Sequence, residues 1–283
     1  MMREETESLR TKSLADLEKI ITDEEEVRRL KNKMIRAKVN NEANSIGGSE
    51  IKDRSLRGKQ GGRMVESEHL RTKLLEVQDS VRGRDHAELI EQFGEGPHRV
   101  RVKVELDTIS ASGDAVVFPK VNGVFVIEMA PIDLMPHSVR FFMEQVRHKL
   151  WDGTSFSYNP SHIILTRAAT PDGNPSPLKD FKERDLHSIS FQEYSDTYPH
   201  LPYTVGFAGL PGGPVWYINK TDNVKTHGPG GQSKFRKEDW GESEPCFGTV
   251  VEGKDVIDRM GKMEVDGTGH LIGKIKIISA TLV

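Results

Sequence analysis

The sequence predicts a mainly β domain, an antiparallel barrel or sandwich with helices over its openings, preceded by an α-helical, charged N-terminal extension. Three observations predict it. From His98 to the C-terminus, short apolar segments recur between Gly- and Pro-rich breaks, and only two helical patterns lie among them. The first 60 residues instead hold 14 Lys or Arg and 12 Asp or Glu, and no aromatic residue precedes Phe93. The 283-residue chain is only 35% hydrophobic, because this front part has little to bury.

Within the extension, Leu14, Leu17, Ile20, Ile21, Val27, Leu30 and Met34 recur at three- and four-residue steps. Glu24 and Glu25 stand four residues before Arg28 and Arg29, so residues 13–39 read as an amphipathic helix suited to a partner helix or to solvent. Residues 40–63, rich in Gly, Ser and Asn, read as a flexible linker that closes a first segment, 1–63. A helical connector, 64–97, carries Leu70, Leu74, Leu75 and Val77, then Leu89, Ile90 and Phe93, and stops at Gly94 and Gly96-Pro97.

The third segment, 98–283, opens with Val100, Val102, Val104 and Leu106 alternating with Arg101, Lys103 and Glu105, a half-buried strand. Asp107 to Val121 reads as a loop or hairpin turning at Gly113-Asp114, and Val124–Ile127 as a second strand. Pro136 opens a helix that buries Val139, Phe142, Met143 and Val146 and ends near Trp151-Asp152-Gly153. Strands follow around Phe156, Ile163–Leu165, Val205–Ala208, Val215–Ile218 and Phe247–Val251, with a Pro- and Gly-rich loop from Thr170 to Pro177. A helix over Lys254–Met260 and a strand over Leu271–Val283 complete the domain.

Composition excludes several functions. A net charge of −3, and a basic run from Arg28 to Lys38 without aromatics, argue against nucleic acid as a partner. One cysteine, Cys246, leaves no intramolecular disulfide and no Cys-rich metal site; it reads as a small buried filler. The ten histidines show no i, i+3 or i, i+4 ligand pairs, so neither a metal nor a cofactor is expected. No stretch of 18 apolar residues spans a membrane and no apolar leader opens the chain, which reads as soluble and, by default, cytoplasmic. Asn219-Lys220-Thr221 is a glycosylation sequon, relevant only on a secretory route.

Four strings, in order, resemble the cyclophilin-type peptidyl-prolyl isomerases. Phe247-Gly248-Thr249-Val250-Val251-Glu252-Gly253-Lys254-Asp255-Val256-Ile257 is similar to the family's FGxVxEGxDVV. The helix after Pro136, Gly153-Thr154-Ser155-Phe156, and Gly206-Phe207-Ala208-Gly209 with Gly213-Pro214-Val215-Trp216-Tyr217-Ile218 resemble three further family strings. The resemblance covers roughly residues 98–283 and implies a closed eight-stranded antiparallel barrel capped by two helices, acting on proline-containing peptides.

Such an enzyme lowers a barrier of about 18–20 kcal/mol to rotation about a tertiary amide. The barrier comes from delocalisation of the nitrogen lone pair, so a donor aimed at the prolyl nitrogen weakens it while an apolar cup holds the ring. In the family that donor is an arginine; counted from Phe156, its position holds Tyr158. The resemblance places the peptide site at Ile163, Ile164 and Thr166 on one strand, at Ala208, at Val215 and Tyr217, and at Trp240 and Glu244. Val215 stands where a backbone-anchoring glutamine is expected and offers no hydrogen bond. Arg167 lies on the neighbouring strand, while Trp216 reads as core. The expectation is an isomerase domain with weak or lost catalysis. The alternative is a non-catalytic proline-peptide module or scaffold recruited through the N-terminal helix.

Overall fold

The structure, a computed structural model, describes residues 23, 25–34, 54–107, 110–112, 115–117, 120–209, 212–231 and 243–283. The remainder of the expected 13–39 helix, residues 40–53 of the expected 40–63 linker, the Gly113-Asp114 turn and Trp240 lie outside the described residues. Two compact units divide at Arg84 and Asp85.

In the first unit, residues 25–34 are helical and bury Val27, Leu30 and Met34, the expected apolar stripe. The long helix α1 (Arg54–Phe93) begins within the stretch read as linker. Arg54, Leu56, Arg57, Lys59 and Gln60 are good helix formers, and together they outweigh the cost of Gly58, Gly61 and Gly62. Lys73 of α1 pairs with Glu26 at 3.4 Å, so the two described helices of this unit meet.

The second unit is a closed antiparallel barrel of eight strands, ordered β1-β10-β5-β6-β8-β7-β9-β4. These are β1 (Arg99–Asp107), β4 (Lys120–Met129), β5 (Ser155–Tyr158), β6 (Ile163–Arg167), β7 (Thr204–Phe207), β8 (Trp216–Asn219), β9 (Cys246–Glu252) and β10 (His270–Leu282). A small hairpin of β2 (Ser110–Ser112) and β3 (Ala115–Val117) lies between β1 and β4, as expected. The alternation in β1 turns Val100, Val102, Val104 and Leu106 inward. Outside, Arg99 sits opposite Glu128 and bonds it at 2.8 Å.

Inside, aromatic side chains interlock. Trp216 meets Phe142, Trp151 and Phe156 edge-on at 5.7, 5.8 and 5.2 Å, and Phe207 stacks on Phe247 at 4.2 Å. Phe142 comes from helix α2 (Pro136–Arg147), which closes one end of the barrel. Its preceding residue Met135 has no capping side chain; instead Glu193 accepts the N–H groups of His137 and Ser138, at 3.3 and 2.7 Å. Asp85, His137 and Ser190 form a buried chain of hydrogen bonds, 2.6 and 2.8 Å long, that fixes the last turns of α1 to this unit.

Helix α5 (Lys254–Gly261) closes the other end with Val256, Ile257 and Met260. Only glycine fits at position 123, where a Cβ would lie 2.6 Å from the Val256 side chain. Asn159 caps the end of α5 through the carbonyls of Met260, Gly261 and Met263, and Lys220 holds Asn159 at 2.7 Å. Two short helices were not expected: α3 (Ser176–Glu183), which shortens the Thr170–Pro177 loop, and α4 (Val224–His227).

Candidate functional site

Ladder register decides which side chains of β6 and β8 share a surface. Phe156, Ile164, Trp216 and Ile218 belong to the core. Ile164 pairs with Ile218 and Thr166 with Phe156, so Ile164 and Thr166 point into the barrel. The Thr166 hydroxyl is doubly engaged: it donates to the Trp216 carbonyl at 2.8 Å and accepts the Trp216 N–H at 3.0 Å. Its only proton is therefore committed and it has no donor left for a peptide. Alternation sets Ile164 and Thr166, both expected at the peptide site, on the opposite face of β6 from Ile163.

The outward face carries Ile163, Leu165 and Arg167 from β6, with Tyr217 and Asn219 from β8. Tyr217 lies opposite Leu165 and reaches across β7, where a Cβ on Gly206 would fall 2.8 Å from its ring and hydroxyl. Ala208 and Val215, both half-buried, close the β7–β8 end through an N–H to carbonyl bond of 2.9 Å.

A buried polar layer covers this face. The His200 Nε2 donates to the Glu244 carbonyl at 2.9 Å, which leaves Nδ1 to accept the Tyr217 hydroxyl at 3.4 Å. The Glu244 carboxylate takes the Gly209 N–H at 3.0 Å through one oxygen and meets the His227 Nδ1 at 2.5 Å through the other. Ring centroids of Tyr217 and His227 are 4.8 Å apart, of His162 and His227 5.6 Å, and of His200 and His227 5.7 Å. Burial pushes His200 down to about 4, and it also lowers the pKa of His162. Burial raises the Tyr217 phenol well above its ordinary range and the Cys246 thiol to about 12.

Tyr158 stands apart from this layer. Its ring packs 5.2 Å from His270 and against Gly269, where a Cβ would lie 2.8 Å away. Gly269 also has φ +90°, so glycine is required there twice over. Arg167, exposed, lines a polar cavity of about 290 Å³ with Ser157, His270 and Lys274. The sequon has no accessible acceptor: Asn219 is fully buried and its amide donates to Thr204 Oγ1 at 2.9 Å.

Of the expected residues, the fold brings Ile163, Tyr217, Ala208, Val215 and Glu244 to one side of the barrel. It turns Ile164 and Thr166 inward, and it sets Tyr158 at the β5–β10 edge. Leu165, His162, His200 and His227 were not anticipated. Their spacing carries no local periodicity, and only barrel closure assembles them. Among the described residues no three His, Cys, Asp or Glu side chains are arranged to hold a metal ion. No described helix is long and apolar enough to cross a membrane.

The profile of the family described as cyclophilin type peptidyl-prolyl cis-trans isomerase/CLD matches residues 116–282. No curated protein matches the sequence. Among solved structures, a Cryptosporidium parvum cyclophilin type peptidyl-prolyl cis-trans isomerase is 14% identical, with a TM-score of 0.42 over 65% of this chain and 98% of that one. Its structure in the presence of the dipeptide Ala-Pro is also 14% identical, with a TM-score of 0.41 over 57% and 93%. A family match across more than half of the chain, on a closed eight-stranded barrel, makes this protein a member of the cyclophilin-type peptidyl-prolyl cis-trans isomerase family.

Proposed function

We propose that residues 98–283 form a cyclophilin-type domain that recognises proline-containing segments and isomerises them slowly. The observation that carries this reading is Tyr158 at the position of the family's arginine. A phenol is a neutral donor, about half as strong as a charged one. Its ring is committed to Gly269 and His270. Loss of a preorganised charged donor lowers rates by about 10²–10³-fold in comparable cases. Val215, in place of an amide side chain, removes an anchor for the peptide backbone without removing apolar surface.

A second reading, a binding module without catalysis, is favoured by the half-buried Leu165 and Val215, which keep apolar surface on the outward face. Recruitment through the N-terminal helix would not use Val27, Leu30 and Met34, since these are already buried. The Glu26–Lys73 contact supports α1 as the partner of that segment. A protease-coupled assay on an Ala-Ala-Pro-Phe anilide, together with peptide titration, separates the readings. Slow turnover supports the first and binding without turnover the second. Turnover at the rate usual for the family overturns both.

A further inference from the structure

Tyr217, which supplies the cup in the reading above, has no exposed surface, and what covers it belongs to the chain. The His227 ring lies over it at 4.8 Å and 38°. His162 stacks on His227 in turn, at 5.6 Å and 23°. A pyrrolidine ring resting on Tyr217 needs the space that the His227 imidazole fills.

His200 also neighbours Tyr217, at 6.2 Å, but both its nitrogens are engaged and it is fully enclosed. His227 is held differently. It ends the four-residue α4, whose Lys225 and Thr226 are exposed. Its side chain is secured through Nδ1 to Glu244, and its Nε2 is buried with no partner among the described residues. Gly228, Pro229, Gly230 and Gly231 follow, and Gly230, at φ +73° with open space around its Cα, gives the backbone a pivot. The other Glu244 oxygen holds Gly209, beside Ala208, so one carboxylate fastens both α4 and the loop bordering the cup.

We propose that His227 is an internal occupant of the proline cup, latched by Glu244, and that a proline segment enters only when α4 swings this imidazole out. The proposal rests on Tyr217 being the floor of the cup. An apparent affinity is reduced by the fraction of molecules in the competent state, so a cup open about one-tenth of the time binds about tenfold more weakly than an open one.

The test uses the full chain and a fluorescein-labelled Ala-Ala-Pro-Phe peptide, with folding checked by circular dichroism. His227→Ala is expected to bind at least tenfold more tightly than the unaltered protein, and Glu244→Gln severalfold more tightly. Hydrogen exchange on the unaltered protein supplies a readout that needs no variant: bound peptide should speed exchange at Thr226, His227 and Gly228. A folded His227→Ala protein that binds no more tightly, or unchanged exchange in α4 with peptide bound, overturns the latch while leaving the proline-binding reading intact. If neither the unaltered protein nor either variant binds the peptide, the cup reading fails and the latch falls with it.

Discussion

Acid should loosen the barrel through His200. Its imidazole is fully enclosed between Glu244, Tyr217 and His227, and burial holds its pKa at about 4 against an ordinary 6.5. Below pH 6.5 the unfolded chain takes up a proton that the folded protein refuses. Stability is therefore fully present above the unfolded value and drains away as pH falls towards 4. Between pH 7.5 and 4.5 the two pKa values give a loss of about 2–3 kcal/mol from this group alone. Urea unfolding at both pH values measures the total loss. His200→Gln keeps a donor for the Glu244 carbonyl but cannot titrate. It should be less stable at pH 7.5, yet lose about 2–3 kcal/mol less than the unaltered protein on acidification. Equal losses in the two proteins, within about 0.5 kcal/mol, would refute the assignment of a neutral, buried His200.

Two further outcomes follow from buried groups. Glu193→Ala removes a carboxylate that accepts two N–H groups at the start of α2, so about 2–3 kcal/mol of stability should be lost; Glu193→Gln should lose roughly half as much. Thermal unfolding then falls by about 5–10 °C for the alanine variant, and a change under 2 °C would contradict the capping role. Cys246, fully buried with its thiol raised to about 12, should resist iodoacetamide at pH 8 in the folded protein and react in 6 M guanidinium.

The parts of the fold that could be read from sequence are those with a local period. Val100, Val102, Val104 and Leu106 announce β1 by alternation, and Pro136 with its apolar stripe announces α2. The run Phe247–Ile257 places β9 and α5 together. Ile163-Ile164-Leu165 is apolar throughout, so nothing local states which of the three faces outward; pairing with β8 decides it. The same holds for the histidine layer: His162 and His200 come from two separate loops and His227 from α4, and they meet only across the closed barrel. The Asp85–His137–Ser190 chain likewise joins residues whose contact depends on tertiary packing. α1 extends into a Gly-rich stretch because the Arg, Lys, Gln and Leu residues between the glycines favour helix, which a count of glycines alone hides.

The most direct test of the account is the turnover of the unaltered protein beside that of Tyr158→Arg, on the same proline tetrapeptide. Slow turnover that the guanidinium raises at least tenfold is the predicted result. Fast turnover before any change, or a folded Tyr158→Arg protein no faster than its parent, would contradict the claim that the missing cation at this position limits the reaction.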